Sequence, residues 1–375
     1  MKSLARIALI NLALVLAAGI AAELVFGGWV FGPDFGMLNL PRNEWRTFDT
    51  SRLMPDGSAI VYSRDTYGFR GGIDGKPEAV DVVVLGGSTT NERYVDDANT
   101  WVARLEKSFR ADGVHLTFAN ASVDGQTSIG HVAAIEQWLT RIPGFRPRDA
   151  IVYIGINDMA LGSDDQHQFD RMMSPERSRR VRQYIMNKSA LYNLFRTVRG
   201  SWFAREAHLV HGDLRWFEAE WVPLEARADI DALRATLRPK LAAYATRLEG
   251  LAAKIEQMGA RPIFVTQRRG DYKILEGVPY VRTNAGAPVL GDGEARTLGW
   301  FDEVTLDTCA KLRLVCVDLG SRLEFADGDF YDGIHTTPSG SARIAAFLYH
   351  ELKDVLRPRD AAASRSPGIP GLRPK

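Results

Sequence analysis

Cysteine and histidine are scarce in this chain, with two cysteines and seven histidines in 375 residues. The one closely spaced histidine pair, His208 and His211, has no cysteine near it, which speaks against a metal cluster. Cys309 and Cys316 fall near the end of an expected helix and inside the strand after it. They read as two buried free thiols, or as a pair if the compartment is oxidising. Charge of one sign is missing too: 47 Lys and Arg face 46 Asp and Glu. Nothing in that balance points to nucleic acid or an anionic surface as partner. No internal repeat is present.

What remains is an ordinary globular composition, 45% hydrophobic and 25% charged, with one departure at the start. Lys2 and Arg6 precede an apolar run from Ile7 to Ala22 broken only by Asn11, and after Glu23 the apolar character resumes through Leu24, Val25, Phe26, Trp29, Val30 and Phe31. The combined stretch exceeds the roughly 20 residues that cross a bilayer. Residues 1–32 are therefore read as a signal anchor. The rival is a cleaved signal peptide, because Gly19, Ala21 and Ala22 suit a peptidase. Basic residues on the short amino-terminal side keep that side in the cytoplasm. The expectation is a single-pass protein of the inner membrane whose bulk is extracytoplasmic.

From Asp81 onward, short β-branched runs alternate with longer amphipathic segments, the pattern of a parallel sheet covered by helices. The expected fold is α/β, a flavodoxin-like three-layer sandwich on five parallel strands: 82–85, 114–118, 150–154, 262–266 and 314–317. Helices are expected near 101–110, 130–141, 230–258, 296–311 and 339–356. The chain thus divides into the anchor, a lead-in at 33–80, an α/β domain at 81–357, and a tail at 358–375 whose Pro, Gly, Ser and Arg lack apolar periodicity and imply disorder. Two connections, about 159–229 and 267–294, are too long for a plain α/β unit. Both leave the carboxyl ends of strands, where open α/β sheets bind ligands. The first holds Tyr184, Tyr192, Phe195, Trp202, Phe203, Trp216, Phe217 and Trp221, which serve either as substrate wall or as glue between the insertion and the body.

Four blocks carry chemistry. The first strand ends in Gly86-Gly87-Ser88-Thr89-Thr90, which places a serine hydroxyl at the carboxyl edge of the sheet. The second runs into Asn120-Ala121-Ser122-Val123-Asp124-Gly125, where a glycine N–H can face a reacting oxygen. The third ends in Gly155-Ile156-Asn157-Asp158, with an amide as a further donor. Asp332-Gly333-Ile334-His335 follows the last strand, its carboxylate and imidazole three residues apart. A Gly-rich turn with one serine is a weak signal alone, since it also suits phosphate binding. Four blocks converging on one edge are a stronger one.

In this order the blocks resemble the SGNH (GDSL-like) hydrolases and acyltransferases, in the form of a membrane-anchored bacterial member. The resemblance spans roughly Asp81 to Glu351. It implies Ser88 as nucleophile, His335 as base and Asp332 as the group orienting it. It also implies an oxyanion hole of the Ser88 N–H, Gly125 N–H and Asn157 amide, with no cofactor. Gly87 stands where the family frequently has Asp, which removes a brace from the turn. Tyr67-Gly68-Phe69-Arg70-Gly71 looks like a segment that precedes the serine block in anchored relatives and is read as structural. Asp329 is an alternative orienting acid, and Asp158 is read as tying down its own loop. His115, His131, His167, His208, His211 and His350 are read as surface or packing residues, with His131 and His167 as candidates to line the cleft.

The activity this implies is hydrolysis or transfer of a small acyl group, acetyl above all, on an extracytoplasmic glycan or related ester. The partners are then an acylated carbohydrate or other ester and the membrane, not nucleic acid. The alternative is a catalytically silent glycan-binding or assembly protein that kept the fold.

Overall fold

A computed structural model describes residues 2–30, 38, 40–173, 188–192, 194–195, 198, 216–224, 229–283 and 292–357. The expected tail at 358–375 lies outside these, as do His208, His211, Tyr184, Trp202 and Phe203.

The chain begins with helix α1 (Lys2–Phe26), whose segment Leu9–Phe26 is long and apolar enough to cross a membrane, a test that a signal sequence also passes. A hairpin of β1 (Glu44–Asp49) and β2 (Ala59–Arg64) follows. The sheet then forms from β3 (Val82–Gly86), β4 (Phe118–Asn120), β5 (Asp149–Tyr153), β7 (Arg261–Val265) and β10 (Val315–Val317), all parallel, in the order β10-β7-β5-β3-β4. The chain turns to opposite sides after β3, so β3 and β5 are neighbours that diverge in connection. Such a switch point leaves a crevice at the strands' carboxyl ends.

Alternation along the strands builds two cores. Val83 and Leu85 of β3 face the same side as Ala150, Val152 and Phe264. There they meet helices α4 (Ser128–Gln137), α6 (Ile230–Met258) and α7 (Asp292–Leu312). Val82 and Val84 face the other side with Ile151, Tyr153, Ile263 and Val265, against α3 (Trp101–Ala111) and α9 (Pro338–Leu352). The strands are apolar throughout because both faces are covered. Further helices among the described residues include short α2 (Ser88–Asn91), α5 (Ser163–Met173) and short α8 (Leu319–Arg322).

Two departures from expectation have local causes. The second strand of the sheet runs over 118–120, not 114–118, so His115 lies outside it. The Asp81 carboxylate takes the Thr117 N–H at 3.0 Å, and the Val82 N–H donates to the Thr117 carbonyl. Ladder pairing with β3 begins only at Phe118. The two cysteines are joined as a disulfide between α7 and β10, their Cα atoms 6.2 Å apart, in place of the free thiols that packing alone suggested. The hairpin turn at the end of α7 brings the strand back within bridging reach.

The two long connections meet. Strand β6 (Glu220–Pro223) from the first pairs with β9 (Val278–Thr283) from the second, and β8 (Tyr272–Leu275) completes a three-stranded antiparallel sheet.

Candidate active site

Gly87 starts α2, and Ser88 is its first residue, delivered by the buried strand β3. Across the site, an isolated bridge between Phe330 and Thr336 closes a tight loop holding Asp332 and His335. The Tyr331 N–H donates to the His335 carbonyl at 3.0 Å, and the Tyr331 ring stacks on the imidazole with centroids 5.7 Å apart. Within this loop the Asp332 carboxylate accepts backbone N–H groups of Ile334 (2.9 Å) and His335 (2.7 Å) through Oδ1. Its Oδ2 meets His335 Nδ1 at 2.7 Å, and His335 Nε2 stands 2.8 Å from Ser88 Oγ. Carboxylate, imidazole and hydroxyl form a continuous relay. Nδ1 facing a carboxylate carries the proton, which leaves Nε2 as acceptor toward the serine.

Asp329 takes no part in it. It is fully buried and accepts from Arg343 Nε, the Ser339 hydroxyl and the Ala326 N–H, so it fixes the start of α9.

Asn157 lies past the end of β5, beside β3 in the sheet. Its Nδ2 donates one hydrogen bond to the Gln126 carbonyl at 2.9 Å and makes no capping bond to the turn it begins. That amide also explains Gly87: a Cβ there would lie 2.2 Å from Asn157 Nδ2. The residue that removes the family's aspartate makes room for the donor. Gly125, just before Gln126, adopts φ +72°, which favours glycine, and a Cβ there would meet nothing within 4 Å. Among the described residues the N–H groups of Ser88 and Gly125 have no intramolecular acceptor. Free N–H donors and a half-committed amide are what a developing oxyanion requires.

Braces for the turn come from elsewhere. Asn91 Nδ2 donates to Asp124 at 2.6 Å, and Arg93 pairs with the same carboxylate at 2.7 Å, joining the first block to the second. Arg64, buried on β2, bonds Asn91 Oδ1 and the Ser122 carbonyl, both at 2.8 Å. Arg70 bonds the Asn91 and Val95 carbonyls, pairs with Asp97 and lies over the Tyr62 ring. The Tyr67–Gly71 segment therefore clamps the back of the Ser88 turn. Burial holds the Arg70 guanidinium below its usual range, at about 10, so it stays cationic at neutral pH.

Two buried polar residues, Glu92 and Gln267, carry no spacing signal in the sequence. Glu92 ends α2 in the left-handed region at φ +46° and accepts from the Trp101 N–H, the Thr336 hydroxyl and the Ser341 hydroxyl. Burial pushes its carboxyl up to about 7 against those hydrogen bonds. Gln267 bridges Thr89 Oγ1 (2.9 Å) and the Ile156 N–H (2.7 Å), tying the serine block to the asparagine block. Asp158, whose pKa is raised by burial, accepts from Ser128 and pairs with buried Arg247. It ties its loop to α4 and α6. His131 is fully buried, its Nδ1 3.1 Å from Gln126 Oε1, and desolvation drives its pKa down to about 3. It is a neutral packing residue. His167 and His350 are exposed.

The insertion sheet borders the relay loop. Trp221 Nε1 donates to Asp327 at 2.9 Å, and the Gly270 N–H donates to the Gly333 carbonyl at 2.9 Å, inside the Asp332–His335 turn. Trp216 is buried under Arg282, whereas half-buried Trp221 carries Lys273 on its ring at 3.9 Å. Of these two tryptophans, the first is glue and the second reaches the surface.

The profile of the GDSL-like lipase/acylhydrolase family matches residues 84–343, and the chain belongs to that family. No curated protein matches it. Among solved structures, it is similar to TesA at 17% identity, over 73% of this chain and 99% of that one, with a TM-score of 0.35. It is also similar to Axe2, an acetylxylan esterase from Geobacillus stearothermophilus, at 13% identity, over 75% and 99% of the two chains, with a TM-score of 0.41. A putative lipolytic protein of the G-D-S-L family from Desulfitobacterium hafniense DCB-2 gives 12% identity, 73% and 99% coverage and a TM-score of 0.38.

Proposed function

We propose that the protein is a serine esterase or acyltransferase that takes a small acyl group, acetyl above all, from an extracytoplasmic glycan or related ester through an acyl-enzyme. The observation that carries this reading is the unbroken relay from Asp332 through His335 to Ser88, with both links under 3 Å. Ser88 Oγ attacks the ester carbonyl while its proton passes to His335 Nε2, and Asp332 stabilises the imidazolium. The Ser88 and Gly125 N–H groups and the second Asn157 amide proton hold the oxyanion. Collapse expels the alcohol, which takes the proton from His335. Water or an acceptor hydroxyl then gives its proton to His335 and attacks the acyl-Ser88 carbonyl, regenerating the serine. Hydrolase and transferase differ only in that last nucleophile.

Location supplies the substrate class. Helix α1 is read as a membrane anchor with Lys2 and Arg6 on its cytoplasmic side, and a Cys309–Cys316 disulfide persists in an oxidising compartment. A domain so placed meets envelope glycans. The insertion sheet, with Trp221 beside the relay loop, is read as a wall for a sugar ring. A silent binding protein has no need of a relay aligned at hydrogen-bond distance. Cleavage of a small chromogenic acetate, wild type against Ser88→Ala, tests the reading. Turnover surviving in Ser88→Ala would refute it.

A further inference from the structure

Glu23 is the one charged residue between Leu9 and Phe26. A carboxylate in an apolar span is costly unless it is partnered, and this one accepts four hydrogen bonds. They come from Trp29 Nε1 at 2.8 Å, the Ser189 hydroxyl at 2.6 Å, the Ala190 N–H at 3.0 Å and the Leu191 N–H at 3.2 Å. The Gly28 N–H donates to the Lys188 carbonyl at 2.9 Å. The middle of the first insertion is thus fastened to the far end of α1, some 165 residues away in sequence.

From that pin the described residues 190–192, 194–195 and 198 are helical. Leu191, Leu194, Phe195 and Val198 recur at the spacing of one helix face, and they are 48%, 61%, 59% and 61% exposed. Val15 and Ile20 of α1, at 68% and 61%, are no more so. The two apolar surfaces are continuous: a Cβ on Gly19 would lie 3.9 Å from Leu191 Cδ1, one turn deeper along α1 than Glu23. Lys188, Arg196 and Arg199 put positive charge on the same stretch of sequence. A large exposed apolar stripe with basic residues, running into an apolar helix, is the composition of an element that lies in a bilayer interface.

We propose that Leu191, Leu194, Phe195 and Val198 form a second membrane contact, their apolar stripe occupied by lipid of the outer leaflet beside α1. This rests on the reading of α1 as a membrane span. The consequence is positional. The same insertion continues in sequence into β6, which pairs with β9 next to the relay loop, so two membrane contacts in place of one set how that edge stands over the bilayer.

Spin-label accessibility in the full-length protein, reconstituted into phosphatidylcholine–phosphatidylglycerol vesicles, tests this. Single nitroxides are placed through Phe195→Cys and, in a second protein, Val198→Cys; the native cysteines are paired and do not react. Labels through Val15→Cys and Trp45→Cys give the lipid and water references, Trp45 being 71% exposed on β1. The expected result is a ratio of oxygen to nickel-chelate accessibility at 195 and 198 several-fold above that at 45. Labels at both positions that read as 45 does, while 15 reads as lipid, overturn the proposal and leave the anchor standing. Shielding from both reagents at 195 and 198 means a protein partner and overturns it as well. A label at 15 that reads as water removes anchor and proposal together.

Discussion

The Glu92 carboxylate accepts a 2.9 Å hydrogen bond from the Thr336 hydroxyl, so the residue that caps the helix begun by Ser88 holds the residue that follows His335. Ser88 and His335 are 247 residues apart in sequence, yet their approach is set by this buried clasp. Glu92→Ala leaves the buried Trp101 N–H without its acceptor and takes one acceptor from the Thr336 and Ser341 hydroxyls. It is expected to cost at least about 2 kcal/mol of stability and to lower kcat of the folded fraction more than it changes KM. Urea denaturation and kinetics on the same samples check this. Unchanged kcat would make Glu92 a purely structural residue.

The same group has a pH signature. Its carboxyl is raised from about 4.5 to about 7, so the folded state binds more protons than the unfolded one between those values. Its contribution to stability is fully present below about 4.5 and lost as pH rises to about 7. His131 acts in the opposite sense. With its pKa driven down to about 3, its contribution is present above about 6.5 and lost as pH falls. The melting-temperature gap between wild type and Glu92→Gln should narrow from pH 5 to pH 7. The gap for His131→Gln should widen over the same range, and parallel curves in either series would contradict the assignment.

Asn157→Ala is expected to lower turnover by roughly 10²- to 10³-fold with little change in KM, since an oxyanion donor acts on charge that develops in the transition state. The rival role, capping the loop into the insertion, predicts a fall in melting temperature with turnover nearly intact. The structure records no capping bond from Asn157, so kinetics is where the effect should appear.

Much of the sheet was legible, because a parallel strand buried on both faces must be an uninterrupted apolar run, as Val82–Leu85 and Ala150–Tyr153 are. Helix α6 was legible to its ends at Ile230 and Met258, where Gly259 stops it in the left-handed region. The β6-β9-β8 sheet was not, because its central pairing joins Trp221 to Arg282 across the whole of α6 and β7, a contact no local period encodes. The relay positions followed from motif order. Gln267 and Glu92 did not, since a lone polar residue in a loop carries no pattern until the fold brings its partners to it. Gly87 reads in the sequence as a lost brace, whereas in the fold it leaves the space that Asn157 occupies.

The measurement closest to the central claim is covalent labelling of the natively folded full-length protein with a fluorophosphonate, read by peptide mass spectrometry. The account predicts a single adduct on Ser88, absent in Ser88→Ala and slowed by at least roughly 10³-fold in His335→Ala. No adduct, or an adduct on another serine while Ser88 stays unmodified, would contradict it.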